Sequence, residues 1–131
     1  MATDQAVKQA EELAQIFFNL SNAVDDFRVR NFDVLPPAKQ QQLKEQAQAL
    51  ATYGQQYTAD ALGAILLGIQ PHLKDIKQAT KDAQDALAHL DDVVKAIRVA
   101  DAVVALVGSI AAGDLGSIGD RAQGVFEAIS G

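Results

Sequence analysis

The residues best suited to bind a metal are a histidine and two acidic residues near it in the sequence. Asp85, His89 and Asp92 would share one face of a helix, where they could together hold a metal ion. A solvated surface of ion pairs explains the same three residues more simply, because a bound metal needs more donors. His72 follows a proline at a predicted helix start, where we expect it to be exposed. The sequence therefore predicts no metal and no other cofactor.

Catalytic arrangements of other kinds are not found either. A di-iron bundle needs Glu-x-x-His pairs, and neither His72 nor His89 has a glutamate three residues before it. None of the serines lies in a Gly-x-Ser-x-Gly elbow. The adjacent aspartates at 25–26 and 91–92 would point about 100° apart on a helix, so they do not form an acid/base pair. We therefore expect a protein that is not an enzyme.

Length and composition indicate a single helical domain. The chain has 131 residues, of which 49% are hydrophobic, and only three are prolines, a composition that favours helix. The net charge of −6 argues against a nucleic-acid partner, because the binding of phosphates requires a basic face. The lack of cysteine excludes disulfides and thiolate metal sites. The first residues do not resemble a secretory signal, so we expect a cytoplasmic protein or one released without a signal peptide.

The first helix is predicted over residues 4–30. Its apolar residues alternate at spacings of four and three, the heptad pattern of helices that pack side by side at a shallow angle. Additional apolar residues widen this stripe, which predicts a bundle rather than a two-stranded coiled coil. The seam consists of Ala6, Ala10, Leu13, Phe17, Leu20, Val24 and Phe27.

A second helix is predicted over residues 37–69, after a loop at residues 31–37. Proline suits the first turn of a helix and disfavours helical geometry at the residue before it. Gly54 interrupts the apolar seam of this helix. It predicts either a kink, at a cost of about 1 kcal/mol relative to alanine, or a break with a new short helix from Thr58.

Pro71 marks the next boundary, and a third helix is predicted over residues 72–112. At about 1.5 Å per residue, this helix would reach roughly 60 Å. Gly113 is expected to end the third helix, and Asp114 to cap a last helix over residues 115–129.

Asp101 falls on the apolar seam of the third predicted helix. Burying a carboxylate without a partner would be destabilising, so we expect Asp101 to be either paired or exposed. One solution is an internal ion pair with Arg98. The other, which we favour, is a rotation of the apolar stripe that leaves Asp101 exposed. The rotated stripe would consist of Ala100, Val103 and Val107.

Together the segments predict an all-α fold. We expect an elongated antiparallel bundle of four long amphipathic helices, or five if the second helix breaks, with a central helical hairpin that turns at residues 70–71. The first and last helices are shorter than this hairpin, so its end near residues 61–73 should overhang them. An exposed apolar patch usually marks a binding site. The predicted partner or membrane contacts are Leu62, Ile65, Leu66 and Ile69.

Residues 61–69 and 102–112 carry no charge, but each stretch is shorter than the roughly 20 residues that span a bilayer. Buried core helix is the simplest interpretation. The segment Ala-Thr-Lys-Asp-Ala at 79–83, the apolar stretch at 93–112 and the Gly-Asp pair before a short closing helix resemble components of α-helical pore-forming toxins. The resemblance covers the C-terminal half of the chain. It implies a helical bundle with an apolar hairpin that inserts into membranes or docks on a partner.

We therefore expect a non-enzymatic bundle that acts through protein–protein association. The partner would be another protein or, as we favour, a second copy in a homo-oligomer. The alternative is a membrane-active, pore-forming-type component whose apolar hairpin engages lipid. No small-molecule substrate is evident from the sequence.

Overall fold

The computed structural model describes residues 4–56, 68–90 and 92–130. In this part of the chain the fold is all-α, and five helices form a bundle, which confirms the predicted fold class. Short 3-10 turns at Gln70–His72 and Leu115–Ser117 precede the third and fifth helices. The helices are α1 (Asp4–Arg30), α2 (Pro37–Gln56), α3 (Leu73–His89), α4 (Val93–Ala111) and α5 (Ile118–Ser130).

Contacts between the helices define their arrangement. α1 and α2 are joined by a short loop and pack against each other, while α5 packs on both α3 and α4. Two hydrogen bonds show that α3 runs in the same direction as α1. Gln70 bonds to Gln9 near the start of both helices, and Arg30 bonds to the carbonyl of Leu87 near their ends. α4 contacts α2 on the other side of the bundle. The heptad seam predicted for α1 supplies five residues of the core, all fully buried: Leu13, Phe17, Leu20, Val24 and Phe27.

The predicted helix over residues 72–112 is wrong, because the backbone is not helical at Leu90 or at Asp92. Leu90 is extended, with φ −77° and ψ 139°. Asp92 is also extended, and its side chain accepts a hydrogen bond from the backbone N–H of Lys95 at 3.2 Å. An aspartate that satisfies a free N–H in this way starts a new helix. α3 and α4 therefore contain 17 and 19 residues, and neither is longer than about 30 Å.

This break removes the basis for the predicted overhang. The boundary at Pro71 is confirmed, since Pro71 lies in the 3-10 turn before α3. However, Gln70 donates a hydrogen bond to Gln9 of α1 at 2.6 Å, so the start of α3 lies beside α1. Ile69 is fully buried, and the prediction that it is partly uncovered is wrong. Leu62, Ile65 and Leu66 lie outside the described residues.

The predicted rotation of the apolar stripe around Asp101 is confirmed. Ala100, Val103 and Val107 are fully buried, and Asp101 is exposed. The carboxylate of Asp101 accepts a hydrogen bond from the side-chain amide of Gln46 rather than pairing with Arg98. This bond joins α4 to α2 and satisfies the side-chain NH2 group of Gln46, which is buried. The Oε1 atom of the same amide is also buried and has no hydrogen-bond partner among the described residues.

The chain reverses after α4 as predicted, but the details differ. Gly113 has a φ of 71°, which favours glycine, and α4 ends at Ala111. The N–H of Gly113 donates to Ile110 at 3.1 Å and that of Asp114 to Ser109 at 3.0 Å. The prediction that Asp114 caps the last helix is wrong, because its carboxylate accepts from the Ser117 hydroxyl at 2.8 Å and makes no cap bond. The last α-helix therefore begins after a 3-10 turn.

Gly54 allows α1 and α2 to approach each other closely. α2 continues through Gly54 to Gln56. The alternative helix predicted from Thr58 lies outside the described residues. A Cβ atom at Gly54 would lie 3.1 Å from the Cζ atom of Phe18. The glycine therefore makes room for an aromatic ring of α1.

Candidate functional site

The loop between α1 and α2 is held in place by hydrogen bonds to both helices. Asn31 extends the end of α1, because its backbone and side-chain N–H groups both donate to the carbonyl of Phe27, at 3.1 and 3.0 Å. The side chain of Gln40 in α2 donates to the carbonyls of Phe32 and Leu35, at 3.0 and 3.1 Å. Leu35 is buried in the core. These contacts give the loop a defined conformation.

Arg30 connects this loop to the turn between α3 and α4. Its Nη2 atom donates to the carbonyls of Leu87 at 3.0 Å and Leu90 at 3.2 Å. The guanidinium also lies 5.5 Å from the centre of the Phe27 ring, within the range of a cation–π interaction. Carbonyls in the last turn of a helix have no partner within the helix, and a cation there complements the helix dipole. Arg30 therefore closes the C-terminal end of α3.

Replacing Arg30 by alanine is expected to lower the free energy of unfolding by about 1–2 kcal/mol, because the carbonyls at the end of α3 lose their charged donor. Replacement by lysine should restore part of this loss, since it keeps the charge but not the planar set of donors. Chemical denaturation of the three proteins measures the difference. Equal stabilities for the alanine variant and the wild type would contradict this role of Arg30.

Large apolar side chains are exposed at this end of the bundle. Among the described residues, the exposed large hydrophobic side chains are Val29 (59% exposed), Phe32 (52%), Val34 (70%) and Val94 (56%). The first three belong to the end of α1 and the following loop. Val94 lies four residues after Leu90, whose carbonyl binds Arg30. We refer to these four residues as the loop-end patch.

Charges of both signs accompany the loop-end patch. Asp33 and Lys39 are exposed in the same loop and in the first turn of α2. Arg28 and Asp25 form an ion pair at 2.8 Å near the end of α1. The segment that carries Val29, Phe32 and Val34 therefore also carries an exposed anion, and an exposed cation follows in α2.

Sequence reasoning missed the loop-end patch and proposed contacts elsewhere in the chain. Ile69 is buried, and the other three proposed residues lie outside the described part of the structure. A signal was present in the sequence, since Phe32 and Val34 are large apolar residues in a segment predicted to be a loop. Because loops lie at the protein surface, large apolar side chains within them are often exposed.

The residues considered for metal binding have other contacts. Nδ1 of His89 is 2.8 Å from the backbone carbonyl of Asp85. The Asp92 carboxylate caps α4 by accepting a hydrogen bond from the backbone N–H of Lys95. Within residues 4–56, 68–90 and 92–130, no group of three histidine, cysteine or acidic side chains is placed to hold a metal ion.

None of the described helices is both long enough and apolar enough to cross a membrane. The apolar stretch at 102–112 instead contributes Val103, Leu106, Val107 and Ile110 to the core. The resemblance to pore-forming toxin components stays a prediction. Comparisons of the chain with protein-family models, with curated proteins and with solved structures found no match.

Proposed function

We propose that this chain is a non-enzymatic helical bundle that acts by associating with itself through the loop-end patch. The observation that supports this proposal most directly is the exposure of four large apolar side chains at one end of the bundle. Single exposed apolar residues are common on soluble proteins, whereas a group of them with a polar border is typical of an interaction surface.

The rigidity of the loop favours binding through this surface. Phe32 and Val34 flank an exposed aspartate on a loop that Gln40 and Asn31 hold by hydrogen bonds. Buried Leu35 anchors the next position of the same loop. A surface that is already ordered loses less conformational entropy on association than a mobile one. The backbone that carries the exposed side chains is thus held by hydrogen bonds.

A second copy of the chain suits the loop-end patch better than a strongly charged partner. Two copies related by a two-fold axis bring the same surface together, so apolar side chains meet apolar side chains. Asp33 and Lys39 supply opposite charges at the border, and each could face its counterpart in the other copy. Pairs of this exposed kind contribute little energy, so the apolar contacts would provide most of the affinity.

Replacing Phe32 and Val34 together by serine is expected to weaken self-association by at least about tenfold, because each apolar side chain contributes about 1.5–3 kcal/mol when fully buried. Sedimentation velocity over a concentration series measures the effect. The matched control replaces Lys44 and Gln48 by serine, two exposed residues on α2. A wild-type protein that stays monomeric throughout, or a double variant that associates as strongly as the wild type, would contradict the proposal.

Salt provides a second check on the same surface. Each copy carries a net charge of −6, so two copies repel each other at low ionic strength. Added salt screens this repulsion and leaves apolar contacts in place. Association should therefore strengthen as salt increases. A clear weakening would instead indicate that ion pairs dominate the contact.

The membrane-active alternative makes a different prediction. If an apolar segment is released on contact with lipid, the wild-type chain should float with lipid vesicles, and the serine variant should float equally well. If the chain instead associates with itself through the loop-end patch, the wild-type protein should not float with the vesicles, even at concentrations at which it sediments as an oligomer. Flotation with vesicles of neutral and of anionic lipid separates the two.

A further inference from the structure

A hollow of about 350 Å³ lies between α1 and α3, away from the loop-end patch. Ile16 and Thr80 provide part of its lining. Thr80 is buried, and its hydroxyl donates to the backbone carbonyls of Ile76 and Lys77, at 2.8 and 3.0 Å. The hydroxyl is therefore engaged with the backbone, and this threonine adds carbon surface to the hollow. The other lining residues are Glu12, Gln15, Lys77, Lys81 and Gln84.

The α3 side of this hollow is basic. Lys74, Lys77 and Lys81 follow one another at spacings of three and four, which places them on one face of the helix. An adjoining hollow of about 420 Å³ shares Lys77 and Lys81 and adds Lys74. The α1 side contributes a carboxylate, because Glu12 forms an ion pair with Lys77 at 3.0 Å.

Lys81 is the cation best placed to bind a ligand. In the described part of the chain, no ion pair or hydrogen bond engages its side chain, whereas Lys77 is partly neutralised by Glu12. The hollow itself therefore carries two cations and one anion, although the chain as a whole carries a net charge of −6. A local positive charge on an acidic protein selects for anions.

We propose that this hollow binds a small amphiphilic anion, such as a carboxylate attached to an alkyl chain. The carboxylate would lie near Lys81 and Lys77, and the alkyl chain would cover Ile16 and the carbon stems of the lysines. The hollow is open to solvent, and its volume of about 350 Å³ is near the lower end of the range for small-molecule sites. Ile16 and the carbon atoms of Thr80 give part of the hollow an apolar surface, which favours such a ligand over inorganic phosphate. This site is independent of the proposed self-association.

Titration of the intact protein with sodium decanoate, followed by two-dimensional NMR, tests the proposal. Lys81→Gln is expected to weaken binding about two- to fivefold, since one exposed charge pair is lost. Glu12→Gln should strengthen it by a similar factor, because it removes the anion and releases Lys77. Opposite effects of two substitutions that each replace a charge by an amide are hard to obtain from a change in folding.

Two controls complete the experiment. Lys44→Gln changes a lysine on the exposed face of α2 and should leave the affinity unchanged. Nonyltrimethylammonium carries the same alkyl chain as decanoate but a positive head group, and it should not bind at the hollow. Ile16→Asn should weaken decanoate binding through loss of apolar contact, and thermal unfolding of each variant verifies its fold.

The outcomes are distinct from those for self-association. Shifts confined to residues around Ile16 and Thr80, with the two expected opposite effects, would support the site. The proposal would be overturned if decanoate did not bind, if both head groups bound equally well, or if the Lys81 and Glu12 variants matched the wild type. The serine variant of the loop-end patch should bind decanoate normally.

Discussion

Replacing Phe27 by alanine should lower the free energy of unfolding by about 3–5 kcal/mol, the largest effect expected for any single change considered. Phe27 is fully buried, and the guanidinium of Arg30 lies over its ring. Removing the ring leaves a cavity and also withdraws the surface against which Arg30 rests. Because the Phe27 carbonyl receives two bonds from Asn31, disturbance here would reach the loop that carries the patch.

Phe32 provides the matched control for this prediction. The same chemical change at Phe32, which is 52% exposed, should alter the free energy of unfolding by no more than about 0.5 kcal/mol. Urea denaturation, followed by far-ultraviolet circular dichroism at a concentration where the wild type is monomeric, gives both values. Similar losses for the two variants would contradict the described positions of the two rings.

The second large effect is expected at Gly54. Leucine at this position should lower the free energy of unfolding by about 1–3 kcal/mol, because a side chain there must displace the Phe18 ring. The closest ring atom would be 3.1 Å from the new Cβ, and leucine adds further atoms beyond it. Relief is expected if Phe18 is also shortened to alanine, so the double variant should lose less than the sum of the two single losses.

Gly124 in α5 provides the contrasting control. A Cβ atom at Gly124 would have no described heavy atom within 4 Å other than those of its chain neighbours and of its own helix backbone. Alanine there should therefore raise the free energy of unfolding by about 0.5–1 kcal/mol through helix propensity. Thermal denaturation of the Gly54 and Gly124 variants compares the two positions. A stabilising effect of leucine at Gly54 would show that α1 and α2 do not pack as described.

The parts of the fold that could be predicted from the sequence are those controlled by local signals. The limits of α1 at Asp4 and Arg30 agree with the structure, and so does its heptad seam from Leu13 to Phe27. The burial of Ala6 and Ala10 lies outside what the structure describes. The proline before α3 and the positive φ of Gly113 are likewise set by the chemistry of single residues. The cost of burying a carboxylate was enough to predict that the apolar stripe turns away from Asp101.

The break between α3 and α4 could not be predicted, because two local preferences compete there. The apolar residues on either side keep a continuous helical spacing, which favours one long helix. Asp92 can either lie within that helix or cap a new one, and packing of α4 against α2 and α5 favours the second solution. Tertiary contacts determine whether such a residue continues a helix or starts a new one, and these contacts cannot be predicted from a single sequence.

The candidate sites depend on contacts between elements that are distant in the sequence. The predicted overhang assumed a long third helix, and it disappears for Ile69 once α3 begins beside α1. The spacing of the lysines at 74, 77 and 81 predicts that they share one face of a helix. Their role in a binding site depends on Ile16 of α1, which lines the same hollow as Lys77 and Lys81. The exposure of Phe32 and Val34 depends in the same way on which loop residue is buried, and that residue is Leu35.

Cross-linking through a single introduced cysteine tests the central claim most directly, because the chain contains no cysteine of its own. Asp33→Cys places one thiol within the loop-end patch, and Lys74→Cys places one on α3 near the other end of the bundle. With a short bifunctional thiol reagent, the Asp33 variant is predicted to form a covalent dimer that the Phe32 and Val34 serine substitutions abolish, while the Lys74 variant stays monomeric. Equal cross-linking of the two variants, or no dimer from the Asp33 variant, would contradict self-association through this surface.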